Sequence, residues 1–562
     1  MDTGISKELS FIKSRKDFSF ILTNEGEITT QGLPTVLSSS GTAFFLDGVI
    51  YNSNEHQLIR DFEQQGVSGL EKLEGSFILF VLTGSKLYLL TDRVHSKKAY
   101  YAQLEGAWFV SNNIDMLPKG KCTISPDGLA CFLANGAMYN TLTLYKEILS
   151  TRGGSIYSFI KQKLSIQTYW EYGFHYPKEE SVEDLQKELE QLLIDTIKEM
   201  APAVSHAAVS LSAGYDIRGI LGILHQYANT PQISCFSYAL GGNSQVNSDS
   251  YYAKKIASAC GYPHEVYPSY TGDLVNHIIN NVQKGKCLSS FCEELKTWDA
   301  LAESGRYTDV IVGEECFGYF DVPLKTKESI LSLLAVNGAG SIQWMKKFIQ
   351  PDLYKQFNNS LTRVVDEVWK RLEPFSDVHD KKDFLYFDQR INHVLLPWRE
   401  NICSQVGYVH NPLLNTRLLE FVKKLPPVHR KNKNLFKKTI MSMLPDLFAI
   451  GFATTSGYSM NWQIEIRKNK QSLIDFVQRT DSLLDCIISK QEVIQMIREQ
   501  SSSTEIWKKH ITRAIILVRR KNKLFNRMAT PFFGSLNGFV SKHVYADILV
   551  LRLLMIRTAL QK

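Results

Sequence analysis

One short segment of the chain combines residue types that suit a phosphate ligand. Residues 209–224 (VSLSAGYDIRGILGIL) pass from an apolar run, through small residues, into aliphatic residues at helical spacing. Small residues let the backbone approach a ligand, and the amides that open a helix favour an anion. Asp216 has no apolar role there, and a carboxylate beside a phosphate site usually holds Mg²⁺. Packing of a strand against a helix explains the same residues equally well, and neither a P-loop nor a dinucleotide fingerprint is present.

The segments around this loop alternate between apolar strands and helices. An amphipathic helix at 185–200 precedes the strand HAAVSLS, a helix at 217–227, the strand QISCFSYAL, a helix at 249–261, and the strands HEVYPS and DVIVG. This alternation predicts a parallel sheet with helices on both faces. Ligands of such sheets bind at the carboxyl ends of strands, where the loop SLSAGYDIR lies. Beyond about residue 325 the chain is predicted to be mostly helical.

The first part of the chain, to about residue 165, is predicted to be mainly β structure. Its short β-branched or aromatic runs are FSFILT, TAFFLDGVIY, GSFILFVL, KLYLLTD, AYYAQ and AWFVSN. One helix is predicted in NSNEHQLIRDFEQQG, beginning at Asn52 or Ser53 and ending at Gly66, and a short one follows Ser125. Repeated strands with few helices favour a layered domain of two sheets. A chain of 562 residues is expected to form two or more domains.

Composition argues against several classes of protein. The net charge of +7 is small for this length, and it suits an acidic ligand such as a nucleotide without indicating nucleic acid. Nine scattered cysteines form no CxxC pair, which argues against a disulfide scaffold or a zinc site and for a reducing compartment. The N-terminal residues lack a signal-peptide layout. A cytoplasmic protein is predicted.

Two segments of the C-terminal part carry no motif. The basic run LVRRKNKLFNR (517–527) is predicted to be a solvated helix face, with a nucleic-acid or peptide-docking patch as the alternative. The apolar segment YADILVLRLLMIRTAL carries two arginines and falls short of a membrane span. It is predicted to pack in the core or to form a partner surface.

SLSAGYDIR resembles the pyrophosphate-binding loop of the asparagine synthetase family, whose usual form is SGGxDS. Ser212, Gly214 and Asp216 keep the family's residues, whereas Ala213 and Ile217 replace a glycine and a serine. Other segments resemble family segments in the same order along most of the chain: FLDGVIYNSNEHQLI, LEKLEGSFILFVL, LLTDRVHSKKAYY, WFVSN, FSYAL, DSYYAKKIASACGYPHEVY, VGEECFGYF, NPLLNTRLLEFVKKLPP and KNKNLFKKTIMSMLP. On these segments the chain is identified as a member of the superfamily.

The resemblance implies both a fold and an activity. Residues 1–170 would form an α+β, Ntn-like layered domain of the glutaminase type. Residues 175–562 would form an α/β synthetase domain, with a parallel sheet of the ATP-pyrophosphatase type and a mostly helical C-terminal part. The implied activity is ATP-driven amide formation, in which a carboxylate receives AMP, pyrophosphate leaves, and an amine attacks the activated carbonyl.

Site residues are implied by the same resemblance. Those that would bind ATP and pyrophosphate are Leu211, Ser212, Ala213, Gly214, Tyr215, Asp216, Phe236, Ser237 and Gly313. Those that would bind Mg²⁺ are Asp216 and one of Glu314 and Glu315, which a solvated acidic turn would explain as well. Lys433 matches a family lysine at the start of a helix, and Lys433 and Glu315 are the implied catalytic residues. An exposed basic face is the alternative interpretation of Lys431, Lys433, Lys437 and Lys438.

Departures from the family pattern restrict the expected reaction. Met1 is followed by Asp2 and the first cysteine is Cys122, so an N-terminal thiolate to release ammonia from glutamine is missing. The N-terminal domain is therefore expected to be a scaffold without glutaminase activity. The family's aspartate–arginine pair appears as Arg399–Glu400, and acceptor-side positions hold Tyr408, His410, Pro412, Leu413, Leu414 and Asn415. Aspartate is thus not the expected substrate.

Family members without the cysteine use an amine that the substrate already carries. The first hypothesis is a lasso-peptide cyclase, which adenylates an Asp or Glu side chain of a precursor core peptide and closes a macrolactam with the peptide's α-amine. ATP and Mg²⁺ are the implied cofactors, and a leader-peptide protease and a leader-binding protein are further implied partners. The alternatives are a small-molecule amide or β-lactam synthetase, and a catalytically weakened binding or assembly subunit.

Overall fold

Three β-sheets organise the chain. The computed structural model describes residues 11–176, 181–228, 232–318, 320–322, 325–500 and 544–562, so the basic run 517–527 lies outside the described residues. Two antiparallel sheets lie in the N-terminal part and a parallel sheet follows in the middle of the chain. Mostly helical structure occupies the remainder. The predicted combination of a two-sheet N-terminal part, a parallel sheet and a mostly helical C-terminal part is confirmed.

The strands of the N-terminal part pair antiparallel throughout. Their bounds are β1 Ile12–Ser14, β2 Ser19–Leu22, β3 Ile28–Gln31, β4 Val36–Leu37, β5 Ala43–Ile50, β6 Gly75–Thr83, β7 Lys86–Thr91, β8 Tyr100–Leu104, β9 Ala107–Ser111, β10 Leu149–Ser150, β11 Ser155–Ile160 and β12 Lys163–Thr168. The first sheet has the order β1-β5-β6-β7-β11-β12, with β4 beside β5. The second has the order β10-β8-β9-β2-β3.

Alternate side chains of β5 show how these two sheets are layered. Phe45 points between the sheets, where its ring lies 5.1 Å from that of Phe20 in an edge-to-face contact. Phe44 points to the opposite face and packs 5.6 Å from Phe62 of helix α1 (Glu55–Gln65). The period of two along the strand therefore gives each face its own apolar cluster.

Two helices flank the antiparallel sheets. Helix α1 begins after Asn54, whose side chain accepts a hydrogen bond from the Gln57 amide at 2.9 Å, so the predicted start at Asn52 or Ser53 is wrong. Asn52 instead fixes the adjoining loop, because its side chain bonds the backbone of Lys72 and Glu74. Helix α2 (Pro126–Asn135) begins after Ser125, as predicted, and its apolar residues pack against the outer face of the second sheet.

The parallel sheet lies at the centre of the molecule. Its strands are β13 His206–Ser210, β14 Gln232–Ala239, β15 His264–Pro268, β16 Asp309–Ile311 and β17 Tyr408–His410, in the order β15-β14-β13-β16-β17. Helix α3 Val182–Met200 precedes β13, and the helices between β13 and β16 are α4 Asp216–Tyr227, α5 Asp249–Ala259, α6 Leu274–Gly285 and α7 Leu295–Ser304. Neighbouring residues of β13 belong to different apolar clusters, so both faces of the sheet are covered, as the sequence predicts. Strand β17 is not predicted from the sequence, because three residues are too few to show a period of two.

Helices fill most of the chain after the fourth parallel strand. Those in the described part are α8 Lys327–Leu333, α9 Pro351–Lys370, α10 Val378–Leu385, α11 Leu396–Ile402, α12 Thr416–Lys424, α13 Pro427–Arg430, α14 Asn434–Met443, α15 Pro445–Ala449, α16 Trp462–Lys468, α17 Lys470–Arg479, α18 Lys490–Gln500 and α19 Ala546–Ala559. A π-helix, Tyr386–Leu395, joins α10 to α11.

The last helix packs in the core rather than at the surface. Its aliphatic side chains are almost fully buried among those of α2, α6, α16 and α18. Arg552 donates to the carbonyls of Leu133 and Ala134, and Arg557 is paired with Asp485. Among the described residues no helix has both the length and the apolar character needed to cross a bilayer.

Candidate functional site

The order of the parallel strands creates a crevice between β13 and β16. From β13 the chain adds β14 and β15 on one side, and it then crosses back to add β16 and β17 on the other. The loops that leave β13 and β16 therefore diverge from adjacent carboxyl ends, at a topological switch point. Both predicted loops, 211–215 and 312–315, lie there.

Three predicted residues meet at this crevice as one ion-paired cluster. Asp216 is the first residue of α4, and its two carboxylate oxygens lie 3.0 and 2.9 Å from the Lys433 Nζ. The same Nζ lies 2.7 Å from Oε1 of Glu315, which follows β16. The structure thus brings together side chains from three separate segments around a single ammonium group.

Burial controls the charge state of this cluster. Only 2% of Glu315 is exposed, and burial raises the pKa of its carboxyl to about 7, with Lys433 opposing the shift and Asp216 adding to it. Burial alone would lower the pKa of Lys433, but the charges of Glu315 and Asp216 and their hydrogen bonds hold it above its ordinary value. Lys433 is therefore a permanent cation, whereas Glu315 can exchange a proton near neutral pH.

Backbone geometry fixes the acidic loop and the lysine loop against each other. Asn432 and Lys433 have φ of 54° and 58°, a left-handed conformation that residues other than glycine seldom adopt. Gly318 has φ of +110°, and a Cβ there would lie 1.9 Å from the Arg430 carbonyl oxygen, so the two loops touch through their backbones. Arg430 is itself fully buried and pairs with Asp380 and Asp383.

The small-residue loop after β13 is held by local hydrogen bonds. The Ala213 amide donates to Asp249 Oδ1 at 3.2 Å, and the Gly214 amide donates to Ser212 Oγ at 3.2 Å. The buried Arg218 donates to the Ala213 carbonyl at 2.7 Å. These bonds preset the loop's shape, and they occupy two amides that an anion would otherwise use.

A cavity of about 220 Å³ lies beside this loop. Its lining residues are Ser210, Leu211, Ser212, Gly214, Asp216, Ile217, Ser237, Tyr238, Asp249, Gly313, Arg399 and Tyr458. Ser237 Oγ donates to the Leu211 carbonyl at 2.7 Å and so ties the ends of two strands together. A Cβ at Gly313 would lie 3.2 Å from the Ile217 amide, which explains a glycine where the second loop passes the first turn of α4.

Several predicted residues do not reach the cavity with their side chains. The Phe236 ring points to the opposite face of the sheet, where it packs 5.2 Å from Trp298, so this ring does not line the cavity. Tyr215 packs its ring 4.8 Å from that of Phe452. Ala213 is 2% exposed and packs inward.

The two adjacent glutamates have different partners. Glu314 pairs with Arg399, whose Nε donates to its carboxylate at 2.8 Å, and it accepts a second bond from Asn411 at 3.1 Å. Glu315 faces Lys433 and Asp216 instead. The sequence leaves open which glutamate joins Asp216, and the observed geometry favours Glu315.

The donor set fits Mg²⁺ only if phosphates complete the coordination. No group of three or more His, Cys, Asp or Glu side chains suited to a metal occurs in the described parts of the chain. Asp216 and Glu315 offer two carboxylates around one point, and Mg²⁺ is often held by one or two carboxylates with substrate phosphates and waters. In the structure Lys433 Nζ lies between those carboxylates.

Six cavity-lining residues are not among the predicted site residues. They are Ser210, Ile217, Tyr238, Asp249, Arg399 and Tyr458. Asp249 could have been predicted from the sequence, because it is the first residue of the helix that follows β14, just as Asp216 is the first residue of the helix that follows β13. Arg399 and Tyr458 come from distant helical and loop segments, and no local pattern marks them.

Comparison with known proteins gives little further information. No family model and no curated protein matches the chain. Among solved structures, glutamine phosphoribosylpyrophosphate amidotransferase from B. subtilis, complexed with ADP and GMP, has 10% sequence identity and a TM-score of 0.19 over 45% of this chain and 59% of that chain. The allosteric regulatory enzyme of purine biosynthesis has 6% identity and a TM-score of 0.18 over 45% of this chain and 74% of that chain. Similarity this weak supports no conclusion about function.

Proposed function

We propose that this chain is an ATP-dependent, AMP-forming amide ligase and, within that class, a lasso-peptide cyclase. The observation that carries the proposal is the cluster of Asp216, Glu315 and Lys433 at the ends of adjacent parallel strands. Resemblance of these segments to the asparagine synthetase family supplies the reaction class. The cluster lies where that resemblance would put the phosphates of ATP.

The proposed reaction has two steps. A substrate carboxylate oxygen bonds to the α-phosphorus of ATP, the bond to the bridging oxygen breaks, and pyrophosphate leaves. The amine then bonds to the acyl carbon, AMP leaves with the electron pair of the broken bond, and the amine gives up a proton. Negative charge shifts onto phosphate oxygens in both steps, so a fixed cation beside them lowers the barrier.

The residues of the cluster suit these charges. Lys433 stays protonated at neutral pH, and its two carboxylate partners hold the ammonium group in place. Glu315, with a pKa of about 7, suits a group that takes up the proton released by the amine. Bound Mg²⁺ would offset the charge of the phosphates, and Asp216 is the carboxylate that would hold it together with the phosphates while Glu315 takes up the proton.

The acceptor side of the cavity supports a peptide rather than a free amino acid as substrate. Arg399 is the cation among the cavity-lining residues, and Glu314 already occupies its guanidinium. An amino acid's α-carboxylate would therefore have no unpaired cation to bind among those residues. A precursor core peptide carries its own amine, and holding it beside the acyl adenylate can contribute about 7–11 kcal/mol through orientation.

A single assay tests the proposal. The purified chain is incubated with ATP, Mg²⁺ and candidate core peptides, and AMP release is measured together with the peptide mass. We expect AMP to accompany a peptide that has lost one water. Lys433→Met should lower kcat by about 10²- to 10³-fold, because one oxyanion-type stabiliser is lost. Lys438→Met changes an exposed lysine of α14, the helix that begins directly after Lys433; it is the matched control and should leave kcat unchanged.

The assay also separates the alternatives. AMP formed only with small substrates would replace the cyclase by a small-molecule amide or β-lactam synthetase. A folded protein that gives no heat with ATP and Mg²⁺ in calorimetry would overturn the ligase and leave a binding or assembly subunit. Co-purification with a leader-peptide protease or leader-binding protein would extend the cyclase proposal to its partners.

A further inference from the structure

A second and larger cavity lies outside the crevice of the parallel sheet. Its volume is about 630 Å³, and it opens between the N-terminal part and the helices that follow α9. One wall is built from aromatic rings: Trp170, Tyr172, Phe174, Phe375, Phe384 and Phe387. We call it the aromatic cavity. Its volume lies within the usual range for small-ligand sites, about 300–1,000 Å³.

The rings of this wall are preorganised. Tyr172 and Phe387 stack with centroids 4.2 Å apart and planes 20° apart. Trp170 lies 5.9 Å from Phe387, and its Nε1 donates to Glu420 at 2.6 Å, which fixes the indole. A flat apolar group can therefore stack on this wall without reordering the side chains.

Two other residues of the lining have buried polar atoms without partners in the described part of the chain. His393 is only 6% exposed, and its Nδ1 is buried with no hydrogen-bond partner among the described residues. The Oδ1 of the adjacent Asn392 is also buried and has no hydrogen-bond partner among the described residues. Leaving such atoms unsatisfied costs about 1–3 kcal/mol each, which a hydrogen-bonding ligand would offset if a side-chain rotation turned them toward the cavity.

The helix that carries these atoms is itself unusual. Asn392 and His393 belong to the π-helix Tyr386–Leu395, which also supplies Phe387 and Asp388 to the lining. π-helical turns are rare and concentrate at functional sites. One irregular element thus contributes both a ring of the aromatic wall and two lining residues whose buried atoms lack partners among the residues that the structure describes.

The cavity lining has an excess of positive charge. The lining of the cavity contains four cationic side chains, Arg93, Arg152, Arg371 and Lys423, against two carboxylates, Glu171 and Asp388. Asp388 is paired with Arg371 at 2.7 Å. The exposed Arg152 guanidinium has no ion-pair or hydrogen-bond partner in the described part of the chain. An anionic group is therefore the complement of this end of the cavity.

From these features we propose that the aromatic cavity binds a short acidic peptide segment that carries an aromatic side chain. The ring would stack on the aromatic wall, the carboxylate would pair with Arg152, and a backbone N–H would donate to Asn392 Oδ1. Binding needs neither ATP nor Asp216, so this site is separate from the proposed ligase site.

Calorimetry with a defined probe tests the proposal. The probe is N-acetyl-phenylalanyl-glutamyl amide, and its controls are the glutaminyl and alanyl analogues, which lack the charge or the ring. We expect saturable binding of the probe to the full chain without ATP, and roughly tenfold or greater weakening with either analogue.

Variants locate the binding within the cavity. Arg152→Gln should lower the affinity for the probe by roughly 10- to 100-fold. Arg60→Gln, which changes an exposed arginine on α1, should leave that affinity unchanged. Asn392→Leu should lower the affinity for the probe several-fold. Asp216→Asn should bind the probe normally, which separates this test from the ligase proposal. Absence of saturable binding, or equal binding by the glutaminyl analogue or by Arg152→Gln, would overturn the proposal.

Discussion

Glu315 and Lys433 depend on each other for their charge. A carboxylate that is almost fully buried is costly, and Lys433 compensates for part of that cost at 2.7 Å. Asp216 shares the same cation, so the three side chains carry a net charge that depends on the proton of Glu315. A ligand that brings further negative charge would compete with both carboxylates for Lys433.

At this scale we predict a pH-dependent stability that originates in Glu315. Its pKa in the folded chain, about 7, lies above the ordinary value of 4.5. The stabilisation that the raised pKa of Glu315 contributes to the folded chain is therefore complete below about pH 4.5, and it is lost as the pH rises through about 7. We expect the free energy of unfolding of the native chain, relative to Glu315→Gln, to fall by at most about 3 kcal/mol between pH 5 and 8.

Urea denaturation at a series of pH values provides the measurement. Glu188→Gln, an exposed glutamate of α3, is the control and should follow the native chain at every pH. A constant difference between the native chain and Glu315→Gln across this range would show that Glu315 titrates normally.

At the scale of elements, the crevice depends on two loops that pack backbone against backbone. The loop after β16 carries Glu315, and the loop before α14 carries Lys433. Gly318 lets the first loop approach the Arg430 carbonyl of the second. The left-handed Lys433 then turns its side chain toward Glu315 and Asp216.

Gly318→Ala is predicted to separate these loops. A Cβ only 1.9 Å from a carbonyl oxygen forces the backbone to move. We expect a loss of unfolding free energy at least about 2 kcal/mol larger than that of Gly340→Ala, together with weaker ATP binding. Gly340 is the matched control because its φ is +81° and nothing lies within 4 Å of the added Cβ. Denaturation midpoints and calorimetry measure the two effects, and equal losses in both variants would contradict the prediction.

Sequence patterns predict the elements better than the contacts between them. The strand-to-helix junction at Asp216 follows from local periodicity, and the antiparallel and parallel sheets follow from the spacing of strands and helices. The position of Lys433 beside Asp216 rests on resemblance, since nothing in a local pattern links segments so far apart. The pairing of Arg399 with Glu314 is likewise a product of tertiary packing. The Asn54 cap was misplaced because three consecutive polar residues could each open the helix.

At the scale of the whole molecule, the N-terminal and C-terminal parts share apolar cores. One cluster combines Tyr100 and Ala102 of β8 and the apolar residues of α2 with residues of α9 and α19. A buried polar link adds to this, because Asp309 of the parallel sheet accepts from Lys13 of β1 at 2.7 Å and lies 2.8 Å from His410. The boundary predicted at about residue 170 therefore separates the antiparallel sheets from the parallel sheet, but apolar packing continues across it.

A fragment of residues 1–170 is predicted not to fold as a stable monomer. Without α9 and α19, the outer face of the second sheet and the apolar side of α2 would be exposed to water. We expect the fragment to aggregate or to bind the dye ANS, as measured by size-exclusion chromatography and fluorescence. Co-expression with residues 175–562 is the control and should yield a soluble complex. A monomeric fragment with a sharp thermal transition would contradict the prediction.

The placement of α19 against α2 also sets an order of events during synthesis. Arg552 of α19 donates a hydrogen bond to the Leu133 carbonyl of α2, and the two residues are 419 positions apart in the sequence. Translation at about 5–20 residues per second needs roughly 20–80 s to cover that interval. During this time the apolar side of α2 that α19 covers in the folded chain remains partly exposed to water. We expect chaperones to bind this apolar surface until α19 has been synthesised and covers it.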